Sequence, residues 1–340
     1  MIMKKKLTLR FALLIVCALN INTTFAQDVR QNPVVKKQTT TKQAPASTKK
    51  QTSTKKPQTT NHKWNSVGDY HEGLAAVADD NWKFGFIDKT GKLVIPCQWK
   101  FAYSFHEGLA YVKDDNGEWG FIDKTGKLVS PCQWEHANNF HEGLAKVQDA
   151  NWKHGYIDKT GRLVSPCQWE SADDFHEGLA AVKDANDNWG YIDKTGKVVI
   201  PCKWKFALSF REGLAPVKDN NGKVGYIDQT GRLVIPCQWK YALWFSEGLA
   251  SVQDNNGKWG YIDKTGKVVI PCKWKDTWWF SEGLAPVVDD NDKWGYIDKT
   301  GQVFIPCTWE YPGSFHEDLA EVEDANGKWF KIDKTGKVVK

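Results

Sequence analysis

The sequence predicts an all-β fold built from eight tandem units of 35 residues, each with three strands. Two observations lead to this prediction. The chain repeats at a fixed period without an insertion, and the repeated region lacks the apolar period of about 3.6 residues that a helix would show. The period is visible in the cysteines at 97, 132, 167, 202, 237, 272 and 307, and in the KTG or QTG glycines at 91, 126, 161, 196, 231, 266, 301 and 336.

The first part of the chain has the pattern of a secretory signal peptide over residues 1–26. Three consecutive lysines precede an apolar run from Phe11 to Leu19, and small residues then lead to the expected cleavage site. The apolar run is far shorter than the roughly 20 residues that a membrane-spanning helix needs. A lipid anchor at Cys17 is the alternative, and the bulky residue before this cysteine disfavours it. We therefore expect an exported protein, in the periplasm, on the outer surface or secreted, with no transmembrane segment in the mature chain.

Residues 27–62 are rich in Thr, Lys, Gln, Pro and Ser, and we predict that they form a disordered tether. This segment carries a net charge of +7. The signal segment carries +4, so that the repeated region, residues 63–340, has a net charge of −6 within the total of +5. A mildly acidic folded part argues against nucleic acid as the partner.

Each unit contains the same series of strand and turn signals. EGLAxV predicts a first strand, and DNNGK predicts a tight turn that Asn and Gly favour. WGYID predicts the second strand, DKTG a turn closed by a left-handed glycine, and KVVIP a third strand. Proline should place that third strand at a sheet edge or end its pairing. The remaining stretch, such as KWKFALSF, is expected to be a loop or a short irregular connection.

A single unit of this size cannot bury a core, so that each unit must pack on its neighbours. Three strands in 35 residues are fewer than the four strands of a propeller blade of about 40–45 residues, which favours an open superhelical array. The unbroken register favours the alternative, a closed propeller-like ring.

The motifs EGLA, WGYID, DKTGK and IPC together resemble the WG-repeat family, also called KWG repeats, over residues 63–340. The departures are modest: Phe84, His154 and Val224 replace the tryptophan of WG, and Phe330 replaces its glycine. The resemblance implies an interaction or scaffold module in an exported bacterial protein. It implies no catalytic residues and no cofactor.

Three further patterns could suggest chemistry, and each has a simpler interpretation. One cysteine per unit predicts small buried residues rather than disulfides or a metal site. The His-Glu pairs, such as His71 with Glu72, occupy a position that also holds Arg211 and Ser246, which favours a solvated turn over acid-base catalysis. The aspartates within 184–188 and 289–293 lack the ligand spacing of a calcium loop, so that we interpret them as turn residues.

Comparison of the units shows which positions vary. The invariant positions are predicted to form core and turns, and Leu74, Val77, Ile87, Gly91 and Phe105 represent them in the first units. Aromatic residues at variable positions are the candidate ligand-binding residues, because a position that accepts aspartate in one unit is expected to be exposed in another. The candidates are Trp244, Trp278 and Trp279, just before the closing aromatic, and Trp82 and Trp152, in turn positions that hold glycine in four other units.

We therefore expect an exported, non-enzymatic repeat protein that binds a protein or polysaccharide of the cell envelope through these tryptophans. Catalytic residues, metal ligands and cofactors are not expected. The alternative interpretation of the tryptophans is that they cover a neighbouring unit. In that case the protein would be a structural spacer of the envelope without a specific ligand.

Overall fold

The computed structural model describes residues 64–339, which form eight antiparallel sheets in chain order and contain no helix. The predicted signal peptide and tether lie outside the described residues. We number the sheets as units one to eight: 64–99, 100–134, 135–169, 170–204, 205–239, 240–274, 275–309 and 310–339. The strands are β1 (Ser66–Val67), β2 (Leu74–Ala78), β3 (Phe84–Asp88), β4 (Leu93–Trp99), β5 (Phe101–Ala102), β6 (Leu109–Lys113), β7 (Trp119–Asp123), β8 (Leu128–Trp134), β9 (His136–His141), β10 (Leu144–Gln148), β11 (His154–Asp158), β12 (Leu163–Trp169), β13 (Ser171–Ala172), β14 (Leu179–Lys183), β15 (Trp189–Asp193), β16 (Val198–Trp204), β17 (Phe206–Ala207), β18 (Leu214–Lys218), β19 (Val224–Asp228), β20 (Leu233–Trp239), β21 (Tyr241–Ser246), β22 (Leu249–Gln253), β23 (Trp259–Asp263), β24 (Val268–Trp274), β25 (Asp276–Thr277), β26 (Leu284–Val288), β27 (Trp294–Asp298), β28 (Val303–Trp309), β29 (Leu319–Glu323), β30 (Trp329–Asp333) and β31 (Val338–Val339).

The prediction of an all-β tandem array is confirmed, with one strand more per unit than expected. Seven sheets have four strands, and the sheet of unit eight has three. The added strand lies in the stretch that was expected to be a loop. In unit five it is β17, which pairs with β18 through Phe206 with Lys218 and Ala207 with Val217. A connection of this kind is too short and too polar in some units to show a strand pattern of its own.

In units one to seven the proline before the cysteine lies in the edge strand of its sheet, as predicted, but it does not end the strand. In unit five the edge strand β20 continues past Pro236 to Trp239, and its register against β19 shifts twice on the way. This irregular strand comes very close to the glycine of the WG motif. A Cβ atom added at Gly225 would lie 2.4 Å from the carbonyl oxygen of Ile235. Only glycine therefore fits at this position.

Unit eight departs from the WG motif because no described strand comes this close to its WG position. Its last strand, β31, pairs only through Val338 and Val339 and carries no proline or cysteine. The close approach that requires glycine in the other units is therefore missing, and Phe330 occupies the position.

The sheets pack face to face, and seven of the eight hydrophobic clusters among the described residues join two consecutive units. We call the two sides of a sheet the forward face, which contacts the next unit, and the rear face, which contacts the preceding one. In unit five the forward face presents Tyr226 and Trp239, which pack with Val252 and Ile262 on the rear face of unit six. The ring of Tyr226 also meets Phe245 of unit six at a centroid distance of 5.0 Å. The same pair of positions is in ring contact at all seven junctions.

A glutamate from each of the first seven units fastens it to the following unit. At the junction of units three and four, Glu142 accepts hydrogen bonds from the backbone N–H groups of Glu177 (2.7 Å) and Gly178 (2.9 Å). The ammonium group of Lys194 lies 3.0 Å from the same carboxylate. Glu142 has a φ angle of +51°, and all eight equivalent glutamates share this unusual conformation. The solvated turn expected for the His-Glu motif is therefore also the contact that sets the orientation of consecutive sheets.

The two ends of the array differ from the junctions, and they show that the array is open. The seven glutamate contacts join consecutive units, and no described contact joins Glu317 of unit eight to Gly73 of unit one. On the forward face of unit eight, Lys331 and Glu321 lie exposed, 3.8 Å apart, where unit seven buries Tyr296. A polar outer face of this kind is typical of a terminal repeat.

The first unit is covered differently. On its rear face, Ala75, Val77 and Ile87 form a small cluster with Trp64, which is half-buried. Trp64 lies 35 residues before Trp99, whose ring packs in the same way on the rear face of unit two. Trp64 is thus the part of a preceding unit that is needed to cover the first sheet. Both ends therefore agree with the prediction of an open array rather than with the alternative of a closed ring.

The invariant positions form the core and the turns, as predicted. Leu74, Val77, Ile87 and Phe105 are all at most 7% exposed, and Gly91 adopts a φ of +80° in its turn. The seven cysteines are half-buried and unpaired, and they pack against the hydrophobic clusters. Burial raises the pKa of the Cys237 thiol to about 11, and the negative charge of Asp219 adds to this rise.

We predict that the cysteines react slowly in the folded protein. The pKa values of six of the seven thiols rise to about 11, so that at pH 8 the thiolate fraction falls about a hundredfold below that of a free cysteine. Alkylation by iodoacetamide at pH 8, followed by mass spectrometry, should be correspondingly slower in the native chain than in urea. Equal rates in the two conditions would contradict this account of the thiols.

We predict that Glu142→Gln destabilises the array in a pH-dependent way. Burial raises the pKa of Glu142, but the hydrogen bonds from Lys194 and Gly178 outweigh it, so that the pKa is lowered overall. The charged form therefore stabilises the fold above the pKa of the unfolded chain, and this contribution is lost as pH falls through the lowered pKa. The difference in Tm between native and variant proteins should be largest near pH 7 and should shrink below about pH 4. A difference that stays constant between pH 7 and pH 3 would show that the carboxylate charge has no part in the junction.

Candidate functional site

Trp278 and Trp279, which follow β25 in unit seven, form a stacked pair. Their rings are 5.7 Å apart with an interplanar angle of 15°, and both side chains are partly exposed. Trp278 also contacts Trp294 of its own sheet at 5.5 Å and Tyr311 of unit eight at 5.7 Å, in both cases edge to face. Trp278 is therefore partly a packing residue at the junction of units seven and eight. Trp279, whose described ring contact is with Trp278, is the better candidate for a ligand contact.

Trp244 occupies in unit six the position that Trp279 occupies in unit seven. The guanidinium group of Arg211, from unit five, lies over its ring at 5.0 Å. The indole N–H of Trp244 is buried and has no hydrogen-bond partner among residues 64–339. The structure thus brings Trp278 and Trp279 together, and it places Trp244 one unit away with a cation on its ring.

The positions equivalent to Trp244 and Arg211 meet at other junctions as well. At the junction of units three and four, Asp174 lies 3.8 Å from His141 and 4.0 Å from Lys146. Burial raises the pKa of the adjacent Asp173 to about 6, in spite of the positive charge of Lys146. The position of His141 therefore holds arginine in unit five. The position of Asp174 holds tryptophan in units six and seven.

Asp173 and Asp174 are the carboxylates whose arrangement comes closest to acid-base chemistry. Cleavage of a glycan needs two carboxyl groups that face each other across the scissile bond. Asp174 turns towards His141 of the preceding unit, whereas Asp173 accepts a hydrogen bond from Ser209 of the following unit. Their partners thus lie in different units, and the ion pair and hydrogen bond are those of junctions between sheets.

Trp82 and Trp152 lie in the turns that connect the first long strand of a unit with the second. Their side chains are 61% and 60% exposed, and their φ angles are +56° and +62°. Such angles explain why glycine occupies the position in four other units. The ring of Trp152 contacts His136 at 5.8 Å. Both residues are exposed, and neither is in a described contact with Trp244, Trp278 or Trp279.

The structure adds five exposed aromatic residues that the sequence-based candidates did not include: Tyr70, Phe101, Tyr241, Phe304 and Trp329. Phe101, Tyr241 and Trp329 are 39%, 46% and 51% exposed. Phe101 and Tyr241 occupy a position that holds Ser171 and Asp276 in other units. The rule that identified Trp244 could have found these two. Trp329 could not have been found in this way, because its WG position is covered in most other units and is exposed in unit eight by the end of the array.

The described part of the chain contains no group of three or more His, Cys, Asp or Glu side chains placed to hold a metal ion. Within the same residues there is no helix long and apolar enough to cross a membrane.

Comparisons with solved structures give distant likenesses. A computationally designed protein, Ika8, matches with 10% identity and a TM-score of 0.43, covering 80% of this chain and 98% of that one. BamB from Moraxella catarrhalis matches with 11% identity and a TM-score of 0.40, covering 78% and 92%. Sqt1 from Saccharomyces cerevisiae matches with 12% identity and a TM-score of 0.40, covering 81% and 94%. These scores are too low to assign a shared overall architecture.

Comparison with curated proteins gives no significant match. The model of the WG containing repeat matches the chain seven times, over residues 84–117, 119–151, 155–187, 189–223, 225–259, 259–294 and 294–329. These matches cover well over half of the chain, and each runs from the second half of one sheet into the first half of the next. The chain therefore belongs to the family of proteins with the WG containing repeat.

Proposed function

We propose that this protein is a non-enzymatic binding module of the cell envelope that recognises a protein or a polysaccharide through the aromatic residues at its variable positions. The observation that supports this most is the stacked, partly exposed pair of Trp278 and Trp279 on an otherwise repeated frame. Folding does not require these two residues, because the equivalent positions hold leucine and serine in unit five. Paired rings with exposed faces are well suited to stack on a sugar ring or on an apolar side chain.

The non-enzymatic part of the proposal rests on the carboxylates. The repeated aspartates of the turns cap backbone N–H groups, and the glutamates of the His-Glu motif join consecutive units. The adjacent pair of Asp173 and Asp174 has its partners in two different units. Export and placement in the envelope rest on the residues before the repeats, with the pattern of a signal peptide over residues 1–26.

A structural spacer is the second candidate, and one observation favours it. Trp278 packs against Tyr311 of unit eight, as expected of a residue that covers a neighbouring unit. A test of binding should therefore leave Trp278 in place and change Trp244 and Trp279.

We predict that residues 27–340 retain a specific partner that the double variant Trp244→Ala with Trp279→Ala loses. Both chains would be immobilised and exposed to envelope extract and to a panel of purified polysaccharides. Removal of two aromatic contacts should weaken binding by about tenfold or more. Tyr70→Ala is the matched control, because Tyr70 is a 43% exposed aromatic residue in unit one, whereas Trp244 and Trp279 lie in units six and seven.

Loss of a partner from the tryptophan variant, with retention by the Tyr70 variant, would establish the binding module. Identical capture by all three chains would contradict the proposal. Circular dichroism and thermal melting of each variant would show whether the fold is intact. A native chain that captures nothing would favour the spacer.

A further inference from the structure

The exposed aromatic residues of the array collect at one end of its sheets. Besides the turn of the His-Glu motif, each unit has a DNNGK-type turn and a DKTGK turn at opposite ends of its long strands. We call the DNNGK-type turn the first turn, the DKTGK turn the second turn, and the end of the sheet with the first turn the first-turn rim. The first turns are residues 79–83, 114–118, 149–153, 184–188, 219–223, 254–258, 289–293 and 324–328. Five of the seven exposed aromatic residues in the described part of the chain lie within these turns or beside them: Trp82, Phe101, Trp152, Tyr241 and Trp329. The other two are Tyr70 and Phe304.

The first-turn rim is also acidic. Its turns contain 14 carboxylates and six lysines, whereas the second turns, the DKTGK motifs, contain eight carboxylates and 14 lysines and arginines. Eight rim carboxylates accept hydrogen bonds from backbone N–H groups of their own turns, as Asp149 does. The other six are exposed: Asp80, Asp115, Glu118, Asp187, Asp290 and Asp292. Asp80 and Glu118, in units one and two, have no ion pair among residues 64–339.

Lysine side chains of the protein itself already contact this rim. Lys258 and Lys275 lie 2.6 Å from Asp290 and Asp292, and each of these pairs links a lysine with an exposed rim aspartate. Lysine ammonium groups also lie over aromatic rings of the rim. Lys113 is 5.1 Å from the ring centre of Trp119, and Lys218 is 5.3 Å from that of Tyr241. The rings of Trp82 and Trp152 have no such cation among the described contacts.

We propose that the first-turn rim of units one to three is a docking surface for an extended polypeptide segment rich in lysine and arginine. Trp82, Phe101 and Trp152 would provide ring faces for the cations, and Asp80 and Glu118 would provide unpaired carboxylates. A single cation over an exposed aromatic face contributes little to affinity, so that several such contacts are needed together.

The repeat also suggests the spacing of the partner's charges. Stacked sheets lie about 10 Å apart, and an extended chain advances about 3.3 Å per residue. One cationic residue in about every three would therefore meet successive units. This inference goes beyond the proposed function and does not depend on Trp244, Trp278 or Trp279, which lie on a different line of positions.

The test uses residues 27–340 and a synthetic peptide, (Lys-Ser-Ser) repeated six times. We expect saturable binding by isothermal titration calorimetry at low salt, with weaker binding at 0.3 M NaCl because surface charges are screened. The double variant Trp82→Gly with Trp152→Gly should bind about tenfold more weakly. Glycine is suitable because Gly117, Gly222, Gly257 and Gly327 fill the same position with φ angles from +75° to +93°.

Two further variants separate the contributions. Asp80→Asn with Glu118→Gln should weaken binding and reduce its dependence on salt, whereas Trp279→Ala should bind as the native chain does. Equal affinity of the native and Trp82/Trp152 variants would overturn the aromatic part of the proposal. Equal binding of the peptide (Glu-Ser-Ser) repeated six times would overturn the charge complementarity. The two tests change different residues. Peptide binding that the Trp82/Trp152 variant weakens would therefore support this docking surface even if the envelope pull-down captured no partner.

Discussion

The contact between the forward face of one sheet and the rear face of the next is the interaction on which the whole array depends. A sheet of four short strands cannot bury both of its faces alone, and at all seven junctions a hydrophobic cluster contains residues of two consecutive units. Tyr226 makes two kinds of contact across this junction. Its ring packs against Phe245 of the next unit at an interplanar angle of 59°, and its hydroxyl donates a hydrogen bond of 2.6 Å to the carbonyl of Leu243. One side chain thus fills the junction and satisfies a backbone group of the neighbouring sheet.

Two backbone requirements keep the sheets at a fixed geometry. The edge strand bends towards the WG glycine so closely that a Cβ atom would meet the carbonyl of Ile235, which ties the glycine of the motif to its Pro-Cys segment. The glutamate of the His-Glu motif adopts a left-handed φ and receives two N–H groups and an ammonium group from the next unit. The first requirement shapes each sheet, and the second sets one sheet against the next. Residues outside these contacts are free to vary, and the candidate binding residues lie among them.

Much of this architecture could be predicted from the sequence, because strict repetition shows which positions the fold needs. The strands around WGYID, the left-handed glycine of DKTG and the burial of Phe105 follow from local pattern and are confirmed. The fourth strand was missed, because two residues such as Ser171 and Ala172 carry no period. The role of Glu142 was missed as well, since a contact between units leaves no local signal. The open end had a signal that could have been used: Lys331 stands where the other units have phenylalanine or tyrosine.

The candidate site was predictable in part. Variation between units identified Trp82 and Trp152 as exposed, and the structure places both in open turns. The same reasoning could not distinguish Trp278, which packs on unit eight, from Trp279, because variation at a position does not show which neighbour a large ring will meet. Exposure of Trp329 likewise depends on its place at the end of the array rather than on its motif.

The central claim is that the array is open and that the polar forward face of unit eight ends it. The most direct measurement is the oligomeric state of residues 27–309, by analytical ultracentrifugation, beside the same chain with Tyr296→Lys and Pro286→Glu. Removal of unit eight should expose the apolar forward face of unit seven, so that the truncated chain self-associates. The two substitutions copy Lys331 and Glu321 and should restore a monomer. A truncated chain that stays monomeric without them would contradict the account.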